Sequence, residues 1–197
     1  MTTTLPESVV TPRKVFYINY YDQIDMPRTR AIMAVCANVV AKEKPDELYF
    51  LFASPGGEVN SGIVLYNYLC ALPVEITMHN IGAVDSIGNV IFSAGNKRYA
   101  APHSSFLFHG ITMGVGKDTR MSPNQLNEIK SSLESDQRKI AGILQANSKL
   151  SEAEILGFFN EGESKDAEFA KEKGIINDII KPSIPKDAPF ITINING

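Results

Sequence analysis

Residues 48–53 read Leu48-Tyr49-Phe50-Leu51-Phe52-Ala53, apolar without a break. A half-buried strand alternates and an amphipathic helix repeats every three or four residues, so an unbroken run of this length fits a strand buried on both faces. The flanking segments follow from it. Val15–Tyr20 is a short β-branched and aromatic strand, and Pro27 followed by Ile32, Val35, Cys36, Val39 and Val40 is a helix with proline in its first turn. Downstream come a helix over Ser61–Leu72, a strand over Val74–His79, a helix over Ser86–Ala94 and a strand over Ser105–His109. Strands alternating with helices predict an α/β domain with a mainly parallel sheet.

Beyond these, Ser122 caps and Pro123 opens a long helix to about Asn147. Its apolar residues Leu126, Ile129, Leu133, Ile140 and Ile143 or Leu144 recur at helical spacing, broken by Asp136 and Gln137. Some 25 residues at 1.5 Å each reach roughly 38 Å, more than one small domain needs, which points to packing against another subunit. Ser151-Glu152-Ala153-Glu154 is a capping box, and Gly174 closes a short helix over Ala167–Lys173. A strand-like IINDII and a tail, PFITINI, finish the chain. The expected organisation is a loose arm over 1–13, one domain over 14–182 and a tail over 183–197.

Composition narrows the function classes. A chain of 197 residues, 44% hydrophobic and 21% charged, has the makeup of one ordinary globular domain. Net charge is −3 and the 19 basic residues form no patch, which argues against nucleic acid and anionic lipid as partners. Cys36 and Cys70 both lie in apolar helical patterns and read as buried free thiols of a reducing compartment. The first residues hold no apolar signal core, and the longest apolar stretch, Ile81–Ala94, is broken by Asp85 and Asn89. A cytoplasmic protein is expected. No HExxH or paired-cysteine spacing implies a metal or another cofactor, and Gly114-Val115-Gly116-Lys117-Asp118 is no phosphate loop, since position 111 is isoleucine and Asp118 follows the lysine.

Function in such sheets collects at the carboxyl ends of strands, and the unusual loops follow Ala53, His79 and Phe108. Ser54-Pro55-Gly56-Gly57 is either a plain tight turn or a loop whose amides face a developing oxyanion. Ser86 stands where a loop becomes a helix, as a cap or as an exposed nucleophile. The α/β-hydrolase elbow is not matched, because position 84 is valine. His109 ends an apolar strand, as a satisfied core histidine or as the base for a serine, whereas His79 and His103 read as ordinary rim or surface residues.

Order and spacing join these features. FASPGGEVNSGIVLYNYL, IGAVDSIGNVIFSAGNKRYAAPHSSFLFHG and AKEKGIINDII together resemble the Clp protease proteolytic subunit, from about Val15 to Ile180. The resemblance implies a crotonase-like β/β/α superhelix with a protruding long handle helix, in protomers that stack as rings around a proteolytic chamber. It implies a serine-type endopeptidase acting on peptides or unfolded protein, with Ser86 as nucleophile and His109 as general base. The amides of Ile87 and of the Gly56–Gly57 pair would form the oxyanion hole. The family also implies an ATP-driven AAA+ unfoldase as partner, which the short arm before Lys14 argues against.

Four departures accompany the resemblance. Asp85 stands where a small residue usually precedes the serine, and Gly162 stands where the triad aspartate is expected, twelve residues before Gly174, with Asn160, Glu161 and Glu163 as nearby candidates. The arm lacks the axial-loop pattern, and residues 110–125 replace a glycine-rich strand. A catalytically silent ring subunit is the main competing reading. Acyl-CoA hydration or thioester hydrolysis on the same fold would use acidic residues in place of the Ser–His pair. A signal-peptide peptidase with a lysine base would carry a membrane anchor.

Overall fold

The LYFLFA run forms the middle of a strand, β2 (Glu47–Ser54), in the computed structural model, which describes residues 12–114, 116 and 120–193. On either side lie β1 (Val15–Tyr21) and β3 (Glu75–Asp85), both parallel to β2. Every residue of β2 but Tyr49 is buried, as an unbroken apolar strand demands. Between them run α1 (Met26–Glu43) and α2 (Val59–Ala71), the first capped by Asp25, whose carboxylate accepts the Arg28 N–H at 2.9 Å. Phe16, Ile18, Tyr20, Phe50, Phe52 and Met78 pack with Ile32, Cys36, Leu65 and Leu69 into the main core.

Further along come α3 (Gly88–Phe92), β4 (Lys97–Ala100), β5 (Ser105–Leu107), α4 (Pro123–Ala146), α5 (Glu152–Glu161), β6 (Ser164–Asp166), α6 (Ala167–Glu172), β7 (Asp178–Ile179) and β8 (Phe190–Thr192). The main path of the sheet is β6-β5-β3-β2-β1-β8, while β4 pairs with β3 and β7. Only β5–β6 is antiparallel among the described strand pairs, so the expected α/β class with a mainly parallel sheet is what the chain forms. The tail is tied in, since β8 runs parallel to β1 and Tyr17 donates to the Pro189 carbonyl at 2.9 Å.

The loop expected after His79 is instead strand. β3 continues to Asp85 through an irregularity in which Phe52 pairs with Asn80 and Ser54 with Val84. At this point β3 changes partner, from β4 at Thr77–Asn80 to β5 at Ala83–Asp85. Asn80 holds the fork: its Oδ1 accepts the Gly82 N–H at 2.9 Å and its Nδ2 donates to the Ser105 carbonyl at 2.8 Å. Bulges bend and re-aim strands, and this one delivers Ser86 to the rim beside the end of β5.

Three other expectations change. His79 is fully buried, with Nε2 donating to the Ile180 carbonyl at 3.0 Å and Nδ1 paired with the Tyr49 hydroxyl at 2.7 Å. It belongs to a row of rings, Tyr17, Tyr49, His79 and Tyr99, that crosses the sheet with centroids 5.0, 5.9 and 6.0 Å apart. Cys70 is exposed and only Cys36 is buried, its thiol pushed up to about 12 by burial. Ile140 is buried in the protomer, whereas α4 buries nothing before it and leaves Leu126 53% exposed. No helix among the described residues is long and apolar enough to cross a membrane.

Candidate active site

Ser86 adopts φ +56, the left-handed region that a side chain with a Cβ normally avoids. Such backbone costs of order 1–3 kcal/mol and persists only where the surroundings over-determine it. The bracing is explicit. Ser86 N–H donates to the Leu107 carbonyl at 2.9 Å, which anchors the turn to β5. Asn89, 3% exposed, donates from Nδ2 to the Ser86 carbonyl at 3.1 Å and to the Leu107 carbonyl at 2.8 Å. Asn89 therefore clamps the serine turn to the strand that leads to His109. In the sequence it registered only as a break in an apolar run; a buried amide in a five-residue helix is the signal that marks it.

The Ser54–Gly57 loop closes on the serine from the other side. A Cβ on Gly56 would stand 2.6 Å from Ser86 Cβ and 2.8 Å from the Asp85 carbonyl, at a φ of +87. Gly57, at φ +151, has no room either, with the Ile24 carbonyl oxygen 2.0 Å from where its Cβ would be. Both glycines are thus required by close backbone approach, so the loop is more than a surface turn. The Gly56 N–H donates to Ser54 Oγ at 3.1 Å, whereas Gly57 and Ile87 line the cavity described next.

That cavity, ≈ 250 Å³, is bounded by Pro55, Gly57 and Val59 on one side and by Ser86, Ile87, Phe108 and His109 on another. Ile111 and Thr112, Ile140 and Leu144 of α4, and Phe159 of α5 complete it. The loops after β2, β3 and β5 therefore converge as expected, and Ser86 and His109 share one chamber. No hydrogen bond joins their side chains among the described residues. Catalytic hydrogen bonds often tighten only once substrate is bound.

His109 lies two residues past the end of β5. Its Nδ1 donates to the Gly110 carbonyl at 2.8 Å, because a carbonyl can only accept. A neutral imidazole with its proton on Nδ1 has its lone pair on Nε2, the form a base needs. Gly110 N–H in turn donates to the Phe159 carbonyl at 2.8 Å, which ties the histidine segment to α5. Gly162 is the C-cap of that helix, left-handed at φ 65 and ψ 34, so glycine there terminates a helix. Asn160, Glu161 and Glu163 are exposed, and both glutamates pair with Lys165, at 3.9 and 2.9 Å. Burial raises the Asp85 carboxyl above its ordinary value, while the Leu107 backbone and the His109 ring pull it back. No cluster of three or more metal-ligating side chains occurs among the described residues.

The chain is 26% identical over 155 residues to the ATP-dependent Clp protease proteolytic subunit 2 of Corynebacterium diphtheriae, covering 75% of this chain and 74% of that protein. The subunit of the same name from Chlamydia trachomatis is 26% identical over 163 residues, 80% of this chain and 77% of that protein. That of Thermobifida fusca is 28% identical over 113 residues, 55% of this chain and 56% of the relative. The Clp protease family matches residues 7–183, a span that contains the serine turn, the glycine loop and the histidine segment alike. By that match the chain belongs to the Clp protease family.

Proposed function

We propose that the protein is a serine-type endopeptidase, built as the family's crotonase-like superhelix, in which Ser86 attacks the scissile carbonyl and His109 is general base. Nε2 of His109 takes the proton from Ser86 Oγ and passes it to the leaving amine, and water then releases the acyl group by the reverse path. The amides of Gly57 and Ile87, both on the cavity wall, face the developing oxyanion. The single observation that carries this reading is the braced left-handed Ser86 in one chamber with a histidine whose Nδ1 is engaged by the Gly110 carbonyl. The test is labelling by a fluorophosphonate probe. Wild type should react, and Ser86→Ala should not. Ser86→Ala and His109→Ala should each lower peptide turnover by ~10⁴ or more. Full labelling of Ser86→Ala overturns the assignment.

The same reading makes α4 the handle through which protomers meet in rings, because the described residues leave Leu126 exposed and Leu133 only half-buried. Charged substitutions at Leu126 and Leu133 should split the assembly before the protomer unfolds. Residues 1–11 lie outside the described residues. The reading extends to cleavage of short peptides without an unfoldase, while folded proteins, stable by about 5–15 kcal/mol, resist. A second reading, a silent ring subunit, is favoured by Gly162: no carboxylate bonds to His109 among the described residues. Intact rings that neither label nor cleave would establish it.

A further inference from the structure

The peptidase reading leaves one chemical question, and the inference that answers it rests on that reading. A serine–histidine pair works best when a third group holds the imidazole and offsets the positive charge it gains on taking the proton. The position expected to supply that group is Gly162, which has no side chain. Glu161 and Glu163 pair with Lys165, and Lys165 is itself held over the rings of Phe158 and Phe169 at 5.0 and 5.5 Å. Those carboxylates are committed elsewhere.

Two other groups stand at the imidazole. The Gly110 carbonyl accepts from Nδ1 at 2.8 Å and so sets both the ring's tautomer and its direction. The second is Asp85, the residue before the nucleophile. β3 and β5 run parallel with Ala83 opposite Ser105 and Asp85 opposite Leu107. Side chains of paired residues share a face and alternate along each strand, so the same alternation carried two residues past Leu107 puts His109 on the side of Asp85. Burial raises the Asp85 carboxyl, and the Leu107 backbone and the His109 ring oppose that rise, so the fields of Asp85 and His109 act on each other. The cavity wall itself contributes no acidic group: besides Ser86 and His109 it is lined by residues such as Pro55, Val59, Ile111, Ile140, Leu144 and Phe159.

We propose that the work of the missing acid is divided in this chain: the Gly110 carbonyl orients His109, and the Asp85 carboxylate balances the imidazolium formed during catalysis. Both are positioning groups. The proton moves from Ser86 Oγ to His109 Nε2 and on to the leaving amine, and Asp85 stays ionised throughout. A negative charge beside a histidine favours its protonated form.

The test compares wild type with Asp85→Asn, which removes the charge at nearly constant shape, and with Asp85→Ala should the asparagine variant fold poorly. The first readout needs no turnover: the pH dependence of His109 acylation by diethyl pyrocarbonate, followed by peptide mass spectrometry. Only neutral imidazole reacts, so the half-reaction pH should fall by roughly 0.5–1 unit when the aspartate charge is removed. With a fluorogenic peptide, kcat should fall about 10–100-fold at unchanged KM and the acid limb of the pH profile should move to lower pH. Glu161→Gln and Glu163→Gln should leave both readouts as in wild type. An unmoved half-reaction pH in both Asp85 variants overturns the proposal, as does a shift caused by either glutamate variant or faster turnover in Asp85→Asn. If wild type neither cleaves nor labels, the peptidase reading falls, and the acylation curves still decide whether Asp85 acts on His109.

Discussion

Ser86 is gripped by the end of β5, by Asn89 and by the bare Cα of Gly56, whereas His109 hangs past the last residue of its strand, its ring tied to a neighbouring carbonyl. The two residues share a chamber, yet they are held with unequal force. The difference follows from their conformations. A left-handed serine stores strain that would relax unless its neighbours opposed it. A histidine in an ordinary loop conformation stores none, and its position can be set by one hydrogen bond and by charge. The bracing is thus concentrated on Ser86, the proposed nucleophile, while His109 is held through its Gly110 contact and the tie of Gly110 to Phe159.

The same methyl group, added beside Ser86 and beside His109, tests how unequally the two are held. Gly56→Ala drives a Cβ into Ser86 Cβ at 2.6 Å, at a φ that alanine resists. We expect fluorophosphonate labelling to slow by ~10²-fold or more, since a misplacement of about 1 Å costs on that order. Gly110→Ala places a Cβ 2.9 Å from the Phe159 carbonyl oxygen, on the base side. Because Gly110, unlike Gly56, has no left-handed φ for alanine to resist, the expected loss is smaller, about tenfold. Equal losses in the two variants would show that the histidine is as rigidly placed as the serine.

Asn89→Ala tests the clamp directly. It removes the side-chain donors to the part-buried Ser86 and Leu107 carbonyls, for an expected cost of about 1–3 kcal/mol. In a protein of this size that lowers the melting temperature by roughly 2–4 °C per kcal/mol, measurable by calorimetry. An unchanged melting temperature would mean the turn is held without Asn89.

The smallest effect lies across the sheet at His79, where burial lowers the pKa and the hydrogen bond to Ile180 opposes that shift. Its ring is neutral when folded, so the unfolded chain binds the extra proton. Stability is then full above the unfolded value near 6.5 and declines as pH falls towards the lower folded value. One proton limits the slope to about 1.4 kcal/mol per pH unit. Urea midpoints at pH 7.5, 6.5 and 5.5 should show the decline, and His79→Gln should flatten it.

Elements whose signals are local follow from the residues alone. The unbroken apolar run at 48–53, the capping boxes at Ser122 and Ser151 and the stop at Gly174 depend on neighbours a few residues away, and each appears in the fold within a residue or two. The order of SPGG, Ser86 and His109 likewise pointed to one rim of a parallel sheet. Tertiary structure alone decided the rest. β3 runs six residues past His79 because Asn80 and a new partner, β5, take up its backbone groups, and no local pattern announces a partner 25 residues away. His79 is buried because the chain near Ile180 returns across it. Asn89 matters because two carbonyls from different elements meet at its amide, and Asp85 because β5 aligns it with the segment bearing His109. Backbone propensity is written residue by residue, but the charge and hydrogen bonds at an active site arise between residues that only the folded chain brings together.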